Sequence, residues 1–111
     1  MYDVLTIGSA TRDAFFEGLA FDYHKNDPHT PTKQSLCLPL GAKIRASNVT
    51  FTTGGAGTNT AVTFARQGLK TAVIARVGND VSGREVEQNL LTEGVDCSFI
   101  QKDTSLPTSY S

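Results

Sequence analysis

The chain has 111 residues, enough for one domain that buries roughly 65% of its unfolded surface. Apolar residues are 39% and aromatics 8%, so the chain can collapse and is not disordered by composition. A net charge of -1, from 10 basic and 11 acidic residues, removes the electrostatic footprint of a nucleic-acid or anionic-membrane binder.

The chain opens on a strand. Val4, Leu5 and Ile7 form a short run that stops at Gly8-Ser9, as expected of a buried parallel strand. Nothing basic precedes an apolar stretch here, so no signal peptide is expected and a cytoplasmic location follows. The longest apolar run, Ala72-Val73-Ile74-Ala75, is far short of the ~18 residues of a membrane helix.

Residues 14–53 have a different character. Ala14 to Leu19 is a candidate strand, and Asp22 to Pro31 is polar with two prolines, hence a loop. Gln34 to Leu40 and Asn48 to Thr53 are short strands. In the second, Val49 and Phe51 alternate with polar residues, the period of a half-exposed sheet. The whole stretch suits a small antiparallel excursion. Asn48-Val49-Thr50 is formally a glycosylation sequon, but it suits an accident within a strand.

Regularity returns at Gly54. Ala61, Phe64, Ala65 and Gly68 follow helical spacing, predicting a helix over 58–67 that Gly68 stops. Thr71 to Val77 is a strand. Ser82 and Glu85 have capping-box spacing, and the helix they open puts Val86, Leu90 and Leu91 on one side before Gly94 ends it. Cys97 to Ile100 is another strand. Residues 68–74 and 94–100 echo each other: helix end, Gly, apolar residue, strand. That is the rhythm of consecutive αβ units in a parallel sheet. Leu106 to Ser111 then looks like the start of a further strand, so the sheet is expected to be completed by a missing C-terminal segment or by a partner segment.

Three clusters could carry chemistry. Thr53-Gly54-Gly55-Ala56-Gly57-Thr58-Asn59 places glycines before a helix, whose free N–H groups and dipole can hold hydroxyls or an anion. The other reading is a purely structural turn with Asn59 as a local cap. Gly78-Asn79-Asp80-Val81-Ser82-Gly83 opens the next helix, and Asp80 is either its N-cap or a ligand contact. Gly8-Ser9-Ala10-Thr11-Arg12-Asp13 follows the first strand, at the sheet end where open α/β folds bind ligands. Asp13 there either accepts bonds from substrate hydroxyls or is a solvated turn residue. A dinucleotide fingerprint fails at Thr60, and a Walker A loop fails for want of Lys. Asp22, His24, Asp27, His29 and Cys37 lack a zinc spacing and suit a surface loop, so no metal site is expected. Cys37 and Cys97 form no CxxC pair and are expected as free thiols in a reducing compartment.

Taken in order, Gly8-Ser9 with Asp13, the run Gly54 to Ala61, Gly68, and Val77-Gly78-Asn79-Asp80 with Gly83 resemble the N-terminal part of the ribokinase-like (PfkB) carbohydrate kinases. The resemblance implies an incomplete ribokinase-like α/β core, residues 1–13 and 54–111, with a β lid at 14–53. It implies phosphorylation of a sugar hydroxymethyl group with Mg-ATP. By matching position, Asp13, Gly55 and Asn59 would bind sugar hydroxyls. Gly54 and Gly57 would shape the turn, and Gly78, Asp80 and Gly83 would build the second one. Thr11 would contact the sugar as well, but it stands where ribokinases often carry Asn, and Ala56 stands where some carry Lys, which blurs the choice of sugar. The catalytic Asp and the anion hole belong to a second signature expected beyond this chain. The 111 residues alone are therefore expected to be inactive and to bind neither ATP nor Mg strongly. Rival readings are a non-catalytic module that forms a homodimer through the lid, a nucleoside kinase fragment, and a small dinucleotide-binding domain.

Overall fold

The computed structural model describes residues 1–18 and 22–111. Its backbone clusters into two units, Met1–Ala14 with Phe51–Ser111, and Phe15–Thr50. The first unit is built on a parallel sheet. Strand β1 (Val4–Ile7) lies beside β6 (Thr71–Gly78), which lies beside β7 (Ile100–Asp103), giving the order β1-β6-β7. Val4 faces Thr71 across one ladder, and Ala75 faces Ile100 across the other. The rich β-branched content of β6 suits a central strand. Its alternate residues Val73, Ala75 and Val77 point into the core, where they meet Ala61 of α1 (Ala56–Arg66) and Val86 and Leu90 of α2 (Val81–Thr92). Val73, Val77, Val86 and Leu90 are buried almost completely. Each contributes on the order of 1.5–3 kcal/mol through removal from water.

The echo between 68–74 and 94–100 has a common physical origin. Gly68 and Gly94 both take positive φ, 85° and 79°. At the first helix end, Gly68 N–H donates to Ala65 and Leu69 N–H to Phe64. At the second, Gly94 N–H donates to Leu91 and Val95 N–H to Leu90. Both are Schellman closures, in which a left-handed residue turns the chain and satisfies carbonyls that the helix leaves open. Val95 then packs in the same core as Leu90.

Several expectations change in the structure. The first helix begins at Ala56, two residues before Thr58, because Ser9 satisfies its earliest N–H groups. Asp80, not Ser82, caps the second helix: its carboxylate accepts from Gly83 N–H, so the capping box is not formed. Leu91 is 52% exposed and does not join Val86 and Leu90 in the core. The strand expected at Cys97–Ile100 starts instead at Ile100. Asp96 bridges to Ala72, then accepts from Ser98 N–H, and this turn inserts one extra residue before the ladder resumes at Ala75–Ile100. In β1 it is Thr6 that is buried, whereas Leu5 and Ile7 are 48% and 75% exposed.

A second sheet has the order β5-β2-β8, from β2 (Thr11–Glu17), β5 (Asn48–Gly54) and β8 (Ser109–Tyr110). The strand placed at Ala14–Leu19 is thus β2, starting three residues earlier, and Leu19 lies outside the described residues. β8 runs parallel to β2, with Thr11 facing Ser109 and Arg12 facing Tyr110. In the Phe15–Thr50 unit, β3 (Asp22–Lys25) pairs antiparallel with β4 (Gln34–Cys37). The loop expected over Asp22–Pro31 therefore begins only after Lys25: Asp22–Lys25 becomes a strand because β4 offers a ladder. β4 stops at Cys37 rather than at Leu40. Both cysteines are free thiols. No helix among the described residues is long and apolar enough to cross a membrane.

Candidate functional site

β1 ends at Ile7, and the chain turns through Gly8-Ser9-Ala10 into β2. Thr11 and Asp13, two apart on a strand, share one face. Thr11 Oγ1 donates to Asp13 Oδ1 at 2.8 Å, and Ser111 Oγ donates to the same oxygen at 2.6 Å. These hydroxyls, Ser111 first, hold the Asp13 carboxyl below its ordinary value, so it is ionised at neutral pH. Gly54 closes the cluster. A Cβ there would collide with the Asp13 carboxylate, so the close approach requires glycine. Sequence reasoning missed Ser111. Its position depends on a strand pairing across the length of the chain, which leaves no local signal.

The glycine turn does something other than what its pattern suggests. Ser9 Oγ accepts from Ala56 N–H at 3.0 Å. Ser9 carbonyl accepts from Gly57 N–H at 3.1 Å and Thr58 N–H at 3.4 Å. The first donors of α1 are therefore occupied, and the turn is no phosphate cradle. Gly55 has φ 104°, and a Cβ on it would strike the Ser9 carbonyl. Gly57 packs on Gly8 with no room for side chains between them. Asn59 does not cap the helix. The N-cap is Gly55, which makes no side-chain bond.

Asn59 is exposed and lines a polar cleft of about 390 Å³ with Thr52, Thr53, Thr58, Arg66 and Glu93 among others. Thr53 Oγ1 is buried there and finds no partner among the described residues. Asp13 is not part of that lining. The two places meet through Thr58, which lines the cleft and donates to Gly54 carbonyl at 2.6 Å. The other residues of interest sit apart. Asp80 is occupied by Gly83 and by Thr108, which hold its carboxyl low. Gly78 abuts Thr108, and Gly83 abuts the Gly78 carbonyl. Sequence reasoning also missed Arg12. It pairs with Glu85 of α2 and stacks 5.1 Å from the Phe51 ring centroid.

With the α1 donors bound to Ser9, these residues do not fit a polyphosphate. Among the described residues, no three His, Cys, Asp or Glu side chains converge to hold a metal ion. What the arrangement offers is a fixed carboxylate and a set of hydroxyl and amide groups, a chemistry suited to a polyhydroxylated ligand.

The comparisons with known proteins agree with this architecture. A model described as pfkB family carbohydrate kinase matches residues 17–111. The chain is 35% identical over 89 residues to a 5-dehydro-2-deoxygluconokinase of Geobacillus thermodenitrificans, covering 78% of the chain and 23% of that kinase. It is 46% identical over 50 residues to a fructokinase of Escherichia coli, covering 45% of the chain and 16% of that enzyme. The solved structure of an Arabidopsis thaliana ribokinase complexed with ribose and ATP matches 96% of the chain with a TM-score of 0.77. At 22% identity, and over 30% of that structure, the likeness is one of fold. The chain thus spans less than a quarter of the length of the curated relatives it matches. With the family matched from residue 17 to residue 111 and the parallel sheet in place, the chain belongs to the pfkB family of carbohydrate kinases and builds part of their ribokinase-like α/β fold.

Proposed function

We propose that this chain is the N-terminal, acceptor-binding part of an ATP-dependent kinase that phosphorylates a hydroxymethyl group of a sugar. The observation that carries the reading is the ionised Asp13 carboxylate on β2, just past the turn that follows β1, beside a glycine that leaves it room. A carboxylate can accept bonds from two adjacent sugar hydroxyls, and charged acceptors make the stronger hydrogen bonds. Thr11 keeps it aimed, and Gly55 shapes the turn beside it. Asn59 suits further hydroxyls at the neighbouring cleft. Asp13 serves as a binding group, not as the base, because its lowered pKa makes it a poor proton acceptor at neutral pH. The base, the anion hole and the ATP site fall to the rest of a longer protein, with residues 14–53 as the lid. The named substrates of the relatives, and the ribose and ATP of the ribokinase, support this class.

The test is a coupled ATP-consumption assay on the full-length protein with D-fructose, D-ribose, 5-dehydro-2-deoxy-D-gluconate and adenosine. Turnover of one of the three sugars is expected. Asp13→Ala and Asn59→Ala should lower kcat/KM for that sugar by about ten- to a hundredfold, the scale of losing a hydrogen bond to a charged or buried group. KM for ATP should stay within about twofold. Sugar kinetics equal to wild type in both variants would remove these residues from the site, and turnover of adenosine alone would replace the sugar by a nucleoside.

A further inference from the structure

We propose that Asp80 is a positioning residue for the sugar site, acting through Thr108 and β8 on Asp13. This rests on the reading of Asp13 as a sugar-binding group. An N-cap needs one oxygen for one helix N–H. Asp80 does more. Its Oδ1 accepts from Gly83 N–H at 2.7 Å and from Thr108 Oγ1 at 2.7 Å, and its Oδ2 accepts from Thr108 N–H at 2.8 Å. Thr108 Oγ1 in turn accepts from Gly78 N–H at 2.9 Å. Thr108 is 3% exposed, so these bonds are shielded from water and fix the residue on both sides.

The next residue begins β8. A strand of two residues has too short a ladder to set its own place, so its position depends on what anchors it. Beyond β8, Ser111 N–H donates to Arg12 carbonyl and Ala14 N–H donates to Ser111 carbonyl, bracketing Asp13 on the neighbouring strand. The Ser111 hydroxyl then reaches Asp13 Oδ1. Two more ties run from the start of α2 to the same strands: Ser82 shares a hydrogen bond with Tyr110, and Glu85 pairs with Arg12. The beginning of α2 thus holds β8 and β2 by three side chains, and Asp80 holds the point where β8 starts. Without the Asp80–Thr108 link, β8 loses the anchor at its start, the remaining ties hold it less exactly, and the Ser111 hydroxyl shifts away from Asp13.

The test separates this role from capping. Asn caps helices about as well as Asp, so Asp80→Asn keeps the bond to Gly83. It replaces the oxygen facing Thr108 N–H with an N–H donor. In the full-length protein, with the best-used sugar of the panel above, Asp80→Asn should raise the sugar KM by about tenfold, with the ATP KM within about twofold. Thr108→Val should do the same, and Thr108→Ser, which keeps the hydroxyl, should restore wild-type values. In an Asp13→Ala background, Asp80→Asn should add almost nothing, since both act on one contact. Should Asp80→Asn fail to fold, the Thr108 pair and its combination with Asp13→Ala carry the test. Folded variants with unchanged sugar KM, or equal losses for sugar and ATP, would overturn the proposal while leaving Asp13 in the site. No effect of Asp13→Ala itself would overturn both.

Discussion

Cys97 and Cys37 carry the same thiol in opposite surroundings. Cys97 belongs to the core, and burial pushes its pKa up to about 11, with the Glu87 and Asp96 carboxylates adding to the rise. At neutral pH it is a thiol with little access to solvent, and only the thiolate reacts. Cys37 is exposed at the end of β4. Iodoacetamide labelling of the native full-length protein, mapped by mass spectrometry, should therefore modify Cys37 and spare Cys97 until denaturant is added. Comparable labelling rates for the two in the native state would contradict the packing around Cys97. The same contrast governs the carboxylates. Asp13, Asp80 and Asp96 all have hydroxyl or amide donors that hold their pKa down, but Asp96 spends its bonds on Ser98 and Tyr2, within the scaffold.

At the scale of elements, glycines start α1 and end both helices, and they are not equivalent. Gly68 and Gly55 both have positive φ, yet a Cβ at Gly68 meets nothing within 4 Å whereas one at Gly55 hits the Ser9 carbonyl. Gly68→Ala should cost only the left-handed backbone penalty, about 1 kcal/mol. Gly55→Ala should cost about 2–3 kcal/mol or more, because its φ of 104° with ψ of 146° is nearly confined to glycine and the collision adds to it. Denaturant unfolding of the two variants in the full-length protein measures the difference. Equal losses would mean that the Ser9 turn yields more easily than its bonds to α1 imply. The Ser9 turn also explains why glycines before a helix do not make an anion site here: the donors that would bind the anion close the β1–β2 turn instead.

Across the whole molecule, burial is uneven. β6 has Ala72 and Val73 fully buried, while none of the described residues of the Phe15–Thr50 unit is fully buried. Local stability follows apolar burial. Hydrogen exchange read by mass spectrometry should therefore show peptides from β3 and β4 exchanging at least tenfold faster than those from β6. Protection of the β3–β4 hairpin equal to that of β6 in the full-length protein would show that other residues stabilise it. Among the described residues of this unit, Phe15, Phe16, Tyr23 and Leu36 are exposed and none forms a buried core.

Much of the first unit was legible in the amino-acid order. Gly68 and Gly94 marked two helix ends, the run after Gly68 marked β6, and repetition of the pattern implied a parallel sheet, although the strand after Gly94 begins only at Ile100. These are local rules: a helix stop needs one left-handed residue, and an inner strand needs a short apolar run. Asp13 and the glycine turn could be singled out on the same footing, by type and position. The structure decided what those residues touch. That Ser9 occupies the turn, that Asp80 anchors Thr108, and that Ser111 reaches Asp13 depend on pairings across tens of residues. β3 exists because β4 presents free N–H and C=O groups to it, and the strand expected near the C-terminus, β8, joins β2 rather than the β1-β6-β7 sheet. Asp22–Lys25 alone has no strong strand preference, and neither pairing is set locally, since strand stability lies in the cross-strand contacts that only the assembled chain provides.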